Sequence, residues 1–306
     1  MTRALATALI VVWVLCAAQA SVHAQTTTTT ATTGIAADRF TPAVGPGSFV
    51  GVEGAPTTAA GAVSWVAALD LGRDPIVLHA ATGLVTHPVH DAFVLDVGLE
   101  FGIWKRLAVA IGMPVVLFQD GDRLRGLGID ETHLATSAAG DVRVRVKALL
   151  AGDPNADGVH ASVQLQLTAP ASGQHDFAAT AGATLEPRLV ADWRIGRLQL
   201  GATLGVRFIG DRTLFATKFG DELTWGAAAS LGLVTRRRAG LAAVLEGEGA
   251  VGEFANTRPA ELRGALRVTS RWVSFDAGAG GGLDADIGAP AWRVFVVARG
   301  GLGLAR

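Results

Sequence analysis

The sequence predicts an all-β fold, a transmembrane antiparallel up-and-down β-barrel of twelve strands, and three observations lead to it. From about residue 62 to the C-terminus, apolar residues recur at every second position, which is the period of a strand rather than of a helix. Glycine accounts for 39 of the 306 residues, a share that suits a twisted sheet. The connections between the alternating stretches are short and long in turn, as in barrels of the outer membrane.

The first element is a targeting segment. Arg3 precedes the apolar run ALATALIVVWVLCAA at residues 4–18, and the small residue Ala24 marks a cleavage point. We therefore predict a secretory signal peptide at residues 1–24 and Sec-type export. A membrane-anchoring helix is the alternative, but a run of about 15 residues is short for a bilayer. Cys16, the only cysteine, would leave with the signal peptide.

Two further segments precede the strands. Residues 25–37 contain the tract TTTTTATT and predict a disordered Thr-rich segment, because such a tract cannot bury enough apolar surface to offset its ordering entropy. Residues 38–61 form an N-terminal segment, which either stays in the periplasm or plugs the barrel. Residues 62–306 then form the barrel itself.

The twelve strands follow from the alternation, which is clearest at residues 139–151. There Val142, Val144 and Val146 alternate with Arg143 and Arg145, so that one face is apolar and the other charged. Each stretch supplies the roughly 9 to 11 residues that a tilted strand needs to cross a bilayer. The predicted strands cover about residues 62–72, 89–103, 106–117, 139–151, 159–168, 182–194, 197–209, 221–234, 239–252, 260–272, 274–284 and 291–304.

The connections predict two different rims. Short connections fall around residues 104–106, 153–157, 195–196, 236–238 and 273, and long ones occupy residues 73–88, 118–138, 171–181 and 210–220. Outer-membrane barrels have short periplasmic turns and long external loops. A soluble β-sandwich is the main alternative, because it also alternates its faces, but its connections show no such regularity.

In a membrane barrel the apolar face meets lipid and the polar face lines the lumen. This assignment directs a mixed set of acidic and basic side chains inward. The predicted lumen-lining residues are Glu100, Arg143, Arg145, Lys147, Glu186, Arg188, Asp192, Arg207, Glu246, Glu248, Glu261, Arg263, Arg267, Asp276 and Arg293.

Several segments are also familiar as a set. RFTPAVGPGSFVGVEGA, RLAVAIGMPVVLFQDGD, AAGDVRVRVKALL, LTAPASG, PAELRGALR and GAGGGLDADIGAPAWRVFVVARGGLGL resemble the transmembrane barrels that precede a peptidoglycan-binding domain in OmpA-family proteins of Gram-negative bacteria. The resemblance spans about residues 38–304. It implies a barrel fold and an outer-membrane location, but no transported substrate. The sequence departs from the pattern by stopping at Arg306 without a peptidoglycan-binding domain.

Two motifs have the residue types of metal sites. Residues 153–158, DPNADG, fit the first half of a calcium loop, but Gln164 stands where that loop needs a bidentate carboxylate, and a plain turn is the better interpretation. Residues 87–91, HPVHD, offer two histidines, yet a loop setting gives them no fixed geometry. We therefore predict no metal site and no cofactor.

Motifs of catalysis are equally weak. Gly278, Gly280, Gly281 and Gly282 resemble a phosphate loop only superficially, since no helix follows them, and strand curvature is the better interpretation. The carboxylates of Glu246 and Glu248 share a face, and ion pairing with arginines is favoured over acid–base catalysis. No G-x-S-x-G or HExxH motif occurs. We predict that the chain is not an enzyme.

The resulting prediction is a monomeric, porin-like outer-membrane barrel of Gram-negative bacteria with a narrow or plugged pore and a passive or structural role. The alternatives are a non-conducting structural or adhesive barrel whose external loops bind partners and, with least support, an outer-membrane hydrolase. Expected partners are outer-membrane lipid, lipopolysaccharide and the barrel-assembly machinery. Nucleic acid is not expected, because the net charge is only −1.

Overall fold

The computed structural model describes residues 35–79, 85–122, 134–171, 177–180, 182–210, 212–214, 217–236, 239–252, 258–284 and 287–303. The predicted signal peptide, and the predicted Thr-rich segment up to residue 34, lie outside these residues. Within the described part of the chain, no helix is long and apolar enough to cross a membrane.

Twelve long strands form one sheet in the described part of the chain, and each is antiparallel to its neighbours. They are β1 (Ala62–His79), β2 (Val85–Trp104), β3 (Leu107–Asp120), β4 (Val142–Ala151), β5 (Gly158–Ala169), β6 (Thr184–Ile195), β7 (Leu198–Arg207), β8 (Glu222–Arg236), β9 (Ala239–Gly252), β10 (Ala260–Ser270), β11 (Val273–Gly282) and β12 (Trp292–Gly303). Three shorter strands, Ala138–Ala139, Arg212–Leu214 and Thr217–Phe219, belong to the connections.

The sheet closes on itself. Every long strand pairs with the next one along the chain, and β1 pairs with β12 in a register that runs from Ala62 opposite Gly303 to Arg73 opposite Trp292. Because the sheet closes, no strand edge is left unpaired among the twelve long strands. An unpaired edge would be unfavourable in lipid, where no water is present to bind its backbone N–H and C=O groups. The predicted fold class, an antiparallel barrel of twelve strands, is therefore confirmed.

The two ends of the barrel differ as the sequence predicted. Turns at residues 105–106, 152–157, 196–197 and 271–272 join strands at what we call the short-turn rim, where β1 also begins. The connections at the opposite, long-loop rim include residues 121–141, 170–183 and 208–221.

The predicted loop at residues 73–88 is wrong, because β1 and β2 continue through most of it. Their ladder shifts register between Arg73 and Ile76 and again between Ile76 and Leu78. Such β-bulges accommodate residues that do not fit a regular ladder, here Pro75 and Pro88, which have no backbone N–H to donate. Both prolines therefore lie within a bulged hairpin rather than a loop.

The wall has two contrasting faces. On β4, Val144 and Val146 point outward and are exposed, while Arg143, Arg145 and Lys147 point inward and are buried. Large apolar side chains also cover the outer face of each of the remaining eleven long strands. A protein in water would not leave so continuous an apolar surface uncovered, but one in lipid would.

Tryptophans lie near both margins of this outer face. Trp104, Trp193 and Trp272 are close to the short-turn rim, and Trp292 begins β12 near the long-loop rim. Trp65 is eight residues along β1 from Arg73, the partner of Trp292. At about 3.3 Å per residue and a tilt of about 40°, that span is roughly 20 Å high. Aromatic girdles flank the apolar band of membrane barrels in the same way.

Candidate functional site

The lumen is the candidate site, and residues 35–61, which we call the plug segment, run through it. At the long-loop rim the backbone N–H of Ala37 donates to the carbonyl of Phe177 at 2.7 Å. At the short-turn rim the N–H of Gly61 donates to the carbonyl of Gly102 at 2.8 Å. The plug segment therefore spans the lumen from one rim to the other, and it includes residues 35–37 of the predicted Thr-rich segment.

Apolar residues of the plug segment form a core with small and branched residues of the wall. Phe40 stacks beside Phe295 with ring centroids 5.8 Å apart. The ring of Phe49 lies so close to Gly201 that a Cβ at that position would come within 2.2 Å of it, which explains the glycine. The remaining buried members of this core are Val44, Val50, Val52, Val66, Ala68, Ala110, Ala228, Val244, Ala265 and Val297.

The carboxylate of Glu246 on β9 binds a turn of the plug segment. It accepts hydrogen bonds from the backbone N–H groups of Val50 at 2.8 Å, Gly51 at 2.9 Å and Val52 at 3.3 Å. Consecutive N–H groups that converge on one anion form a strong, directional contact. Arg263 on β10 lies opposite Glu246 in the ladder, with its Nε 2.8 Å from Glu246 Oε1, and compensates the buried charge.

Two more wall carboxylates bind backbone N–H groups near the short-turn rim. Asp192 Oδ2 accepts from the N–H of Ala55 at 2.8 Å. Glu100 Oε1 accepts from the N–H of Thr58 at 2.9 Å and from its hydroxyl at 2.6 Å. Because the plug segment has no regular secondary structure, these carboxylates take the place of a ladder for its backbone donors.

Basic side chains of the wall satisfy acceptors of the plug segment in turn. Arg267 donates to the carbonyl of Ser48 at 2.9 Å, and Arg299 donates to that of Val50 at 2.8 Å. Arg143 donates to the hydroxyl of Thr41 at 2.8 Å. The wall therefore binds both the donors and the acceptors of an irregular backbone.

The charged residues of the plug segment are also paired with the wall. Glu53 forms an ion pair with Arg145, and its Oε2 is 3.3 Å from Lys147 Nζ. Both cations are themselves buried, so the three charges compensate one another inside the lumen. Asp38 Oδ1 lies 2.7 Å from a guanidinium nitrogen of Arg293.

Every residue of the predicted lumen-lining set lies on the inner face of the wall. Most are almost fully buried, while Arg188, Arg207, Glu248 and Arg267 remain partly accessible. Many of them also pair with one another within the wall. Examples are Glu186 with Arg188 at 2.7 Å and with Arg207 at 3.0 Å, Arg267 with Asp276 at 2.7 Å, Arg293 with Glu261 at 3.0 Å, and Glu248 with Arg263.

Further inward charges were missed from the sequence. Asp70 pairs with Arg293 at 2.7 Å, Asp96 pairs with Arg143, and Arg299 pairs with Asp276. Asp96 and Arg299 share the strand parity of predicted lumen residues on their own strands, four residues from Glu100 and six from Arg293. Strict application of the period of two would have found these two. On β1, which holds Asp70, no lumen residue was predicted.

Among the spaces between the plug segment and the wall are two cavities lined by described residues. One of about 80 Å³ is lined by Arg39, Arg188, Arg207, Glu248 and other residues. A second of about 130 Å³ lies nearer the long-loop rim and is lined by residues that include Ile35, Asp141 and Phe219. Each has room for only a few water molecules, so the plug segment fills much of the lumen.

The weaker motifs take ordinary places in the fold. Residues 153–158 make a turn in which Asp153 Oδ1 accepts from the N–H of Asn155 at 3.0 Å. The four glycines at 278 and 280–282 belong to β11. Residues 87–91, predicted to be a loop, instead lie in β2, and the bulged ladder brings His87 and His90 to Asp74.

Comparison with known proteins supports the class of fold. No family model matches the chain, and no curated protein does. Among solved structures, an outer membrane channel from Pseudomonas putida F1 is similar at a TM-score of 0.55 and 14% identity, over 81% of this chain and 98% of that one. The NanC porin aligns at 0.48 and 8% identity over 78% and 98%, and LpxR from Salmonella typhimurium at 0.44 and 10% over 77% and 99%.

The fold and the lumen therefore define a class, the outer-membrane β-barrels. At these identities the likeness extends to the fold alone. The resemblance to OmpA-family barrels in particular stays a prediction, because a likeness of fold does not test it.

Proposed function

We propose that this chain is an outer-membrane channel that its own plug segment holds closed. It is exported by the Sec route, inserted as a monomer by the barrel-assembly machinery, and embedded among lipid and lipopolysaccharide. Its role is passive transport through the lumen once the plug segment is displaced, without catalysis. The apolar outer face, its tryptophan margins and the alternation of short and long connections support the membrane placement.

The observation that carries the proposal is the way in which the lumen is filled. A barrel of eight strands is filled by the side chains of its own wall, whereas twelve strands enclose more space. Here that space is taken by a separate segment of chain, bound to a wall of charged side chains. Such a wall is readily hydrated when the segment leaves, because its carboxylates and guanidinium groups regain hydrogen bonds from water.

The first test removes the plug segment. Single-channel recordings in planar bilayers would compare the mature chain with a variant lacking residues 35–58. We expect the intact protein to show rare, brief openings and the deletion variant to show large, steady ones. A gel that distinguishes folded from heat-denatured barrel would establish that both proteins are folded before they are recorded.

The second test locks the plug segment in place. A Cβ built on Gly98 of β2 lies 4.0 Å from the Cβ of Val44, a separation that suits a disulfide. The predicted mature chain contains no cysteine, so the double variant Val44→Cys/Gly98→Cys would form only this bond. Openings should vanish in the oxidised protein and return on reduction, while each single variant should behave like the parent in both conditions.

These experiments also test the second candidate, a structural or adhesive barrel. A deletion variant that is folded but electrically silent would reject the channel and favour that role. Steady conduction by the oxidised, locked protein would show instead that ions pass beside the plug segment, which would reject the closed state proposed here.

A further inference from the structure

A cluster of metal-binding side chains lies outside the lumen site, in the part of the β1–β2 hairpin toward the long-loop rim. Nδ1 of His87 is 2.8 Å from Oδ1 of Asp74, and Nδ1 of His90 contacts the same oxygen. One ligand atom from each of the three residues lies within 4.8 Å of the other two. All three side chains are half-buried, so solvent can reach the cluster.

The hairpin brings these residues together through its two bulges. Between the pairs Arg73–Asp91 and Ile76–Val89, two residues of β1 oppose the single residue His90, and Asp74 adopts a left-handed φ of 52°. Farther along, the register shifts again and directs His87 toward the same place. A regular ladder would send side chains to alternate faces, whereas bulges re-aim them, as they do beside functional sites in other proteins.

We propose that Asp74, His87 and His90 bind a divalent transition-metal ion, with Zn²⁺ as the reference case. Two imidazoles and one carboxylate suit such ions, and three protein ligands leave the fourth position of a tetrahedral site for water. With metal–ligand distances of about 2.0–2.1 Å, ligand atoms around one ion stand roughly 3.3 Å apart. The His87–Asp74 contact must therefore lengthen by about half an ångström, a small movement for half-buried side chains.

Arg73 is the neighbour that must adjust. Its guanidinium is 2.9 Å from Nε2 of His90 and donates to it, whereas a metal on Nδ1 leaves the proton on Nε2. Asp91 accepts two hydrogen bonds from the other terminal nitrogen of Arg73, at 2.8 and 2.9 Å. This pairing retains and neutralises the guanidinium when its contact with His90 is released. The positive charge of Arg73 beside the site is therefore compensated by Asp91 and opposes metal binding less.

The test is zinc binding by the mature protein, purified without a histidine tag, stripped of metal and kept in detergent. Isothermal titration with ZnCl₂ should show one saturable site per chain. The variants Asp74→Asn, His87→Asn and His90→Asn should each bind Zn²⁺ at least about tenfold more weakly. The control His133→Gln, which removes a histidine from the sequence between β3 and β4, should leave the affinity unchanged.

A second measurement separates metal ligation from a hydrogen-bonded network. Co²⁺ should give visible absorption bands typical of nitrogen and oxygen ligands in the parent protein, and these should be lost in His90→Asn even though its barrel remains folded on the gel. The proposal would be overturned if the parent protein showed no saturable zinc binding, or if the three variants bound zinc as tightly as the parent does. Neither result depends on conduction, so the metal site and the proposed channel are tested independently.

Discussion

The two faces of the wall use the same strands for opposite purposes. On β4, the outward Val144 and Val146 contribute an apolar surface that needs only lipid, while the inward Arg143, Arg145 and Lys147 each have a specific partner. The outer face is therefore generic, and many apolar residues would serve there. The inner face is particular, because each buried charge requires its counterpart. Placement in the membrane depends on the first face, and closure of the lumen depends on the second.

The largest expected effect comes from breaking the inner network at Arg263. Its guanidinium lies among Glu246, Glu248 and Glu261. The variant Arg263→Gln leaves Glu246 and Glu248 without their arginine partner, and the free energy of unfolding should fall by about 3–5 kcal/mol. Urea unfolding of the barrel in lipid vesicles, followed by tryptophan fluorescence, would measure the loss.

A double variant provides the control for that loss. Glu246→Gln keeps an oxygen for the N–H groups of residues 50–52 but removes the charge that Arg263 compensates. Arg263→Gln/Glu246→Gln should therefore recover a substantial part of the stability that Arg263→Gln alone loses. If the two losses simply add, the ion pair is not what stabilises this part of the lumen.

The outer face should respond to charge rather than to shape. Val144→Arg places a cation in the apolar band and should lower the free energy of unfolding by about 2–4 kcal/mol if the residue lies near the bilayer midplane. Val144→Leu should change it by much less, because it keeps an apolar surface toward lipid. Equal effects of the two substitutions in the same vesicle assay would contradict the membrane placement of this face.

A smaller effect should follow acidification of the plug segment. The pairing of Glu53 with Arg145 and Lys147 requires an ionised carboxyl, so protonation of Glu53 in acid should remove its contribution to the closed state. Channel openings should become more frequent as the pH is lowered from neutral to below about 4.

Glu53→Gln provides the control for the acid response. This variant should open more often at neutral pH and should respond less to acid than the parent. An identical acid response in both proteins would assign the effect to carboxyl groups other than Glu53.

The smallest effect is expected for ion selectivity. In the barrel without residues 35–58, the wall keeps basic groups such as Arg143 and Arg267 beside acidic groups such as Asp96 and Asp276. Selectivity requires one sign of charge to dominate the pore. The reversal potential in a KCl gradient should therefore stay close to zero. A value near the full Nernst potential of K⁺ or Cl⁻ would show that one sign dominates after all.

The barrel was predictable because its signal is periodic. Alternation along β4, β5 and β10 assigns the faces of each strand, and the lengths of the connections assign the two rims. The hairpin of β1 and β2 was underestimated because strands were predicted from regular alternation, whereas the bulges around Pro75 and Pro88 interrupt it and depend on pairing across the ladder. The cluster at Asp74 was missed for the same reason.

The course of the plug segment was beyond a sequence-based prediction. Residues 35–61 have neither the period of a strand nor that of a helix, so their apolar residues gave no face to assign. Their conformation follows from partners far away in the chain, such as Glu246 for Val50 and Asp192 for Ala55. The sequence left open whether the segment plugs the lumen. The partners that hold it there come together only when the barrel wall is assembled.

Because the plug segment runs from rim to rim, the barrel is a closed ring of strands with part of its own chain passing through it. Ile35 packs with residues at the long-loop rim, and Ala62 begins β1 at the other, so the closed ring of strands encircles a chain that reaches both rims. Such a chain cannot leave sideways through the wall. The displacement that the proposed channel requires is therefore a lengthwise translocation rather than the swing of a lid. Assembly also acquires an order, because the ring must either close around the segment or have it drawn through afterwards.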